Sequence, residues 1–215
     1  MKFHYIITLV VVNASIVLMP YQGFSDDSAE SILKKVEKKY DTIKDITLTF
    51  DQHVQYGVTK AEQSFSGKLI MKKGNKYRIE LEDQAIITDG KVVWSYTKNN
   101  NQVIINTYKE DPRSFSPDKV LVNVPHRFSV TLLSKEEIQG EQISILKLIP
   151  NDAKSNVQWM KVWVGEEWTM KKIQMFDMSD NLMTYTVNTM KINTGVNDSE
   201  FKFAIPAGVE VIDLR

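Results

Sequence analysis

Between Asp26 and Lys44 the apolar residues recur at helical spacing. Ile32, Leu33, Val36, Tyr40 and Ile43 fall on one stripe, which predicts an amphipathic helix laid on a core. Asp27, three residues before Glu30, reads as an N-cap with a reaching acid. Lys34, Lys35, Lys38 and Lys39 are expected to face water, because long charged side chains seldom bury. From Ile46 the period changes to two. Ile46, Leu48 and Phe50 alternate with Thr47, Thr49 and Asp51. The next segment groups Phe65, Gly67, Leu69 and Met71, and Gly74-Asn75 turns it into a strand grouping Tyr77, Ile79 and Leu81. Asp89-Gly90 reads as a type I′ hairpin turn. Val92, Trp94 and Tyr96 then share one face, and "QVII" adds another strand. Short adjacent strands with tight connections predict an antiparallel meander.

The middle of the chain departs from this pattern. Lys109–Ser134 carries Pro112, Pro117 and Pro125. Ser116-Pro117 reads as a cap and first helical position, and Pro125 stops a short helix over about Asp118–Asn123. This predicts a helical insertion lying over the sheet. Strands resume with "QISILKLIP" and run to a terminal "EFKFAIPAGVEVIDL", with Asn151 and Gly165 near turns. In "QWMKVWV", Met160, Val162 and Val164 fall on one side and Trp159 and Trp163 on the other. A strand apolar on both faces predicts a covered sheet, with helices or an apolar occupant on one side.

Composition narrows the function classes. The 27 basic and 27 acidic residues cancel, so the excess positive charge of a nucleic-acid binder is missing. Tyr5–Met19 is an apolar run after Lys2, ended by Pro20 and followed by small residues at Gly23 and Ser25. That pattern predicts a signal peptide over residues 1–25, cleaved near Ser25, and one domain over 26–215. The run is short for a membrane span of about 20 residues. With no cysteine in the chain, disulfides, thiol catalysis and lipid attachment at an N-terminal Cys are all excluded. The domain must therefore be held by its core.

The search for chemistry leaves apolar surplus. His53 and His126 have no partner at metal-ligand spacing, and no nucleophile elbow, zinc helix or phosphate loop occurs. Glu136-Glu137 and Glu166-Glu167 flank turns, where solvated acids are expected. No catalytic residue, metal ligand or cofactor is assigned, and the reading is not an enzyme. Seven of the nine methionines lie in the strand region, and Met suits adaptable apolar surfaces. With strands apolar on both faces, this points to a concave apolar binding site.

The order of motifs resembles a known family. Phe50-x-Gln52 opens the match, "FSGKLIMKKGNKYRIEL" (65–81) and "ITDGKVVWSY" (87–96) continue it, and "QVII" (102–105) with "FKFAIPAGVEVID" (201–213) completes it. The chain resembles the periplasmic outer-membrane lipoprotein carrier family, LolA. The resemblance implies a mainly β fold with α, an incomplete antiparallel β-barrel (half-barrel) covered by an N-terminal helix and a short helical insertion. It implies a cavity for the acyl chains of a lipoprotein, with Phe50, Leu69, Met71, Ile79, Trp94 and Tyr96 as candidate lining. The family has an Arg-Pro pair after the second strand, whose Arg latches the lid. Lys73 and Gly74 stand at those positions here, and Lys lacks the planar fork of Arg.

A carrier answers a physical need. Each CH₂ brought out of water is worth roughly 0.8 kcal/mol, so a long acyl chain carries on the order of 10 kcal/mol. The resemblance implies a monomeric periplasmic chaperone. Its partners would be acylated lipoproteins, an inner-membrane lipoprotein-releasing ABC transporter and an outer-membrane acceptor, with no nucleic acid. An envelope sensor, or a general periplasmic lipid-binding protein of the same fold, is the alternative.

Overall fold

A computed structural model describes residues 28–109 and 128–215. The expected signal peptide, Asp27, His126 and the expected helix over 118–123 lie outside the described residues. The described residues open with a helix, α1 (Ala29–Asp41). Ser28 caps it, accepting from Ser31 N at 3.2 Å. The cap thus falls one residue later than Asp27, at a residue whose extended backbone turns its hydroxyl back onto the first turn. Ile32, Leu33, Val36 and Tyr40 of α1 are buried, and so is Ile43 just beyond it. Lys35 is less solvated than expected, since its ammonium sits 4.5 Å over the Trp168 ring.

Twelve strands follow among the described residues. They are β1 (Asp45–Gln55), β2 (Glu62–Lys72), β3 (Lys76–Glu80), β4 (Gln84–Asp89), β5 (Val92–Thr97) and β6 (Gln102–Thr107). After residue 127 come β7 (Phe128–Ile138), β8 (Glu141–Pro150), β9 (Val157–Val164), β10 (Met170–Asp177), β11 (Leu182–Ile192) and β12 (Glu210–Asp213). They form one open sheet in the order β12-β6-β5-β4-β3-β2-β1-β11-β10-β9-β8-β7. β1 and β11 join the two meanders, and β12 and β7 are the unclosed edges. The architecture is an incomplete barrel, mainly β, with α1 on one face.

Register assigns the side chains to two faces. On the inner face, Ile46, Leu48 and Phe50 of β1 stand opposite Met71, Leu69 and Gly67 of β2. The same core continues through Met175, Met160, Val162, Leu146 and Leu148, and α1 packs onto it. On the outer face of β2–β6, Ile70, Ile87, Val103 and Ile105 are buried with Phe201, which has no exposed surface. Phe201 belongs to a 3-10 helix, Asp198–Phe201, where a terminal strand was expected. Only Glu210–Asp213 is strand there, and it pairs parallel to β6 in an otherwise antiparallel sheet. The C-terminal segment is pinned by charge, because Asp198 accepts from Lys72 at 2.6 Å and from Lys76 at 2.7 Å. Hydrogen bonds from these two lysines pull the Asp198 carboxyl down to about 2.

The Asp89-Gly90 turn is not type I′, which needs positive φ at both residues. Only Gly90 has it, at +89°. Asp89 instead accepts from Lys91 N at 2.8 Å and Val92 N at 2.9 Å through one carboxylate oxygen. A side chain at Gly90 would run into the Gly74 carbonyl oxygen, so two hairpin turns touch through glycine.

Asp45 is a buried carboxylate, 4% exposed. Burial alone would raise it, but hydrogen bonds from Thr194 N (2.8 Å), Thr194 Oγ1 (3.1 Å) and Gly195 N (3.1 Å) outweigh that and hold it below the usual range. A lowered folded value contributes stability above the unfolded value of about 3.9, and that stability is lost as pH falls through the folded value. Asp45→Asn is therefore expected to melt below wild type at neutral pH and to converge on it in acid. A gap between the two melting curves that stays constant with pH would refute this.

Candidate functional site

The inner face gathers four of the six residues expected to line a cavity. Phe50, Leu69 and Met71 are buried in the core under α1. Ile79, opposite Leu69, is half-buried at its border. Trp94 and Tyr96 are on the other face. Trp94 stands between Ile87 and Ile105, and the Tyr96 ring lies 5.5 Å from Phe203. Adjacent strands that each alternate leave the relative face undetermined, and pairing settles it. The register Ile79–Ile86 and Ile87–Trp94 carries β5's aromatic stripe outward. Tyr96 thus contacts the C-terminal segment, and the two residues do not meet the other four.

Several inner-face residues were not among the six lining candidates. Leu81, Ile173, Met183, Tyr185 and Val187 pack half-buried around the core. The alternation Met183-x-Tyr185-x-Val187 was visible, and pairing of β1 with β11 places it beside Phe50 and Gln52. Gln52 Nε2 donates to the Tyr185 hydroxyl at 3.1 Å. Burial raises the Tyr185 phenol, and the Gln52 hydrogen bond partly offsets it. This end of the face is thus apolar with one polar pair.

Gly67 shapes the same region. A Cβ there would stand 2.6 Å from Phe50 Cζ and 2.7 Å from Leu81 Cδ2. The glycine lets both side chains lie flat across β2. Gly67→Ala should displace them at a cost of about 1–3 kcal/mol, lowering the melting temperature by about 2–12 °C for a chain of this size. An unchanged melt would mean that Phe50 and Leu81 move aside freely.

Two polar contacts fix the C-terminal end of α1. The Tyr40 hydroxyl accepts from Met170 N at 3.2 Å, and burial pushes the phenol up to about 12. Lys73 Nζ donates to the Asp41 carbonyl, the last of the helix, at 2.7 Å. Thr42 N and Oγ1 cap the carbonyls of Lys39 and Tyr40, so Lys73 serves the one that follows.

A polar depression of about 320 Å³ lies across β1, β2 and β11, with Asp51, His53, Ser64 and Thr184 among its lining. His53 Nδ1 is 3.0 Å from Ser64 Oγ, and its Nε2 is 3.7 Å from Glu62. The second distance is too long for a hydrogen bond. The His53 and Glu62 side chains are 46% and 56% exposed, on a surface that does not exclude water. His53 and Ser64 are within hydrogen-bond reach of each other, but Glu62 is too far to orient the ring as the third member of a nucleophile–base array.

Residues 41–204 match the family described as outer membrane lipoprotein carrier protein LolA. An outer-membrane lipoprotein carrier protein of Actinobacillus pleuropneumoniae serotype 3 is 24% identical over 210 residues, covering 94% of this chain and 91% of its own. An uncharacterized protein of Methanocaldococcus jannaschii is 28% identical over 189 residues, 86% of this chain. The chain spans about half (54%) of that relative's length. The crystal structure of an uncharacterized conserved protein from Thermus thermophilus superposes with a TM-score of 0.57 at 14% identity, covering 86% of this chain and 98% of that one. At that identity the likeness concerns the fold alone.

Proposed function

Because the chain belongs to the LolA family, we propose that it is a periplasmic lipoprotein carrier that shields acyl chains between the inner sheet face and α1. The observation that supports this reading most is the family match over 41–204, borne on a sheet whose inner face is apolar from β2 to β8. The half-buried rim of Ile79, Leu81, Ile173, Met183 and Val187 supplies the contact surface. An acyl chain laid there exchanges water for methyl and methylene groups at roughly 0.8 kcal/mol per CH₂. The Gln52–Tyr185 pair offers a donor and acceptor for the polar junction where acyl chains join. In this reading the chain takes acylated lipoproteins from an inner-membrane ABC transporter and delivers them to an outer-membrane acceptor.

The deciding experiment mixes the purified protein with inner-membrane vesicles holding newly acylated lipoproteins. Release of lipoprotein into the soluble fraction, bound to the protein, is expected. No release, with free phospholipid copurifying instead, would assign a general lipid-binding role. Capture of a membrane regulator without release would assign a sensor.

A further inference from the structure

The two halves of the outer face are built differently. Over β2–β6 the C-terminal segment buries it around Phe201. Over β8–β10 the outward aromatic side chains reach solvent. Trp159 and Phe176 stack there at 5.4 Å, and Ile149 is 49% exposed. Three lysines share this surface. Lys161 lies 5.5 Å from the Trp159 ring centre and Lys172 lies 4.8 Å from that of Trp163. Lys147 stands directly opposite Lys161 in the ladder. Like charges in that position repel. Residues 143–149, 159–163 and 172–176 contain no Asp or Glu, so no carboxylate within these stretches relieves the repulsion. The whole chain carries 27 charges of each sign, which makes the local excess a matter of placement.

We propose that this outer face of β8–β10 adsorbs to the surface of an anionic phospholipid bilayer. The charge complementarity is that of lysine ammonium groups with lipid phosphates, worth about fivefold in affinity per lysine near such a surface. The aromatic groups favour lipid over an acidic protein. Indole rings settle at the headgroup level, with an apolar body and a polar edge. Lysine stems lie along apolar surface while their heads reach the phosphate layer. Stacking the Lys161 and Lys172 ammonium groups against indoles holds these groups at one depth, across a broad sheet face and not in a groove. The surface is on the opposite side of the sheet from α1, so adsorption leaves the inner face free. The inference stands apart from the cargo reading, and either can fail alone.

The test uses the full chain, purified from cells that produce it, with Trp94 and Trp168 replaced by Phe. Emission then comes from Trp159 and Trp163. Vesicles of brominated phosphatidylcholine mixed with phosphatidylglycerol are titrated in, beside vesicles of brominated phosphatidylcholine alone. Quenching is expected with the anionic vesicles and should weaken with salt. Replacing Lys147, Lys161 and Lys172 by Gln together should raise the vesicle concentration needed by about a hundredfold, three steps of about fivefold. Uptake of a fluorescent fatty acid should be unchanged. Should the triple variant lose its circular dichroism, Lys147→Gln alone relieves the Lys147–Lys161 repulsion and should still cost about fivefold. Quenching that is absent, equal on uncharged vesicles, or unaffected by removing the lysines would overturn the proposal. Binding to soluble polyglutamate without binding to vesicles would also overturn it, in favour of an acidic protein partner.

Discussion

Leu69→Glu will leave little folded protein, whereas Ile79→Glu, one strand away, will fold and fail to take up a fluorescent fatty acid. Leu69 is 6% exposed, with Leu48 on one side and Ile79 on the other in the ladder. Removing its side chain alone costs about 2–5 kcal/mol. A carboxylate in its place must either ionise in an apolar core or hold its proton, and the penalty for an unpaired buried ion is several kcal/mol more. Together these approach the whole stability of a typical domain, about 5–15 kcal/mol. Ile79 lies at the border of the same cluster and is half-buried, so a glutamate there can turn its head to water. Its cost falls on the surface offered to an acyl chain, not on the core. Circular dichroism separates the two variants, and displacement of the fatty acid probe measures uptake. A folded Ile79→Glu protein with undiminished uptake would remove β3 from the lining.

That pair of outcomes depends on a distinction the sequence did not contain. Strand periodicity grouped Phe65, Gly67, Leu69 and Met71 correctly, and Val92, Trp94 and Tyr96 correctly, because alternation is a property of each strand alone. Which group shares a face with which depends on register across three ladders, and a shift of one residue exchanges the faces. Trp94 and Tyr96 were therefore grouped with Phe50 and Leu69, though both lie on the outer face, where the Tyr96 ring meets Phe203. The terminal stretch was misread for a related reason. Phe201 and Phe203 alternate like a strand, yet the Asp198–Phe201 turn pins the first of them into a pocket on the outer face. The expectation that a helix covers one side of a strand apolar on both faces holds for β9, whose Met160, Val162 and Val164 are buried in the core with α1, while its outward side chains are half-buried. Lysines stacked on Trp159 and Trp163 satisfy the aromatic faces at the surface, an outcome that hydrophobic counting does not anticipate. The helix, by contrast, was legible to within about three residues at each end, since its five-residue stripe has a single way to bury.

Lys73→Leu should raise the affinity for a fatty acid probe by about two- to tenfold, and Lys73→Arg should leave it unchanged or lower it. The Lys73 ammonium donates at 2.7 Å to the Asp41 carbonyl, which ends α1 over the inner face. One such bond to a charged donor at an exposed position is worth about 0.5–1.5 kcal/mol. The helix macrodipole adds to it, since a cation at a helix C-terminus is favourable. This contact belongs to the state in which α1 is seated. If acyl binding requires the helix end to lift, the seated state competes with the ligand, and the probe must overcome whatever the contact contributes. Leucine cannot make the bond, so the empty protein spends more time with α1 unseated and the bound state is favoured. Arginine can make two bonds in place of one, and holds the seated state at least as firmly. The helix does not detach in either variant, because its buried apolar stripe and the Tyr40–Met170 hydrogen bond remain. Hydrogen exchange in the last turn of α1 should accordingly quicken in Lys73→Leu while the first turns stay protected. Probe affinity and exchange that both match wild type would show that Lys73 merely caps a helix and restrains nothing.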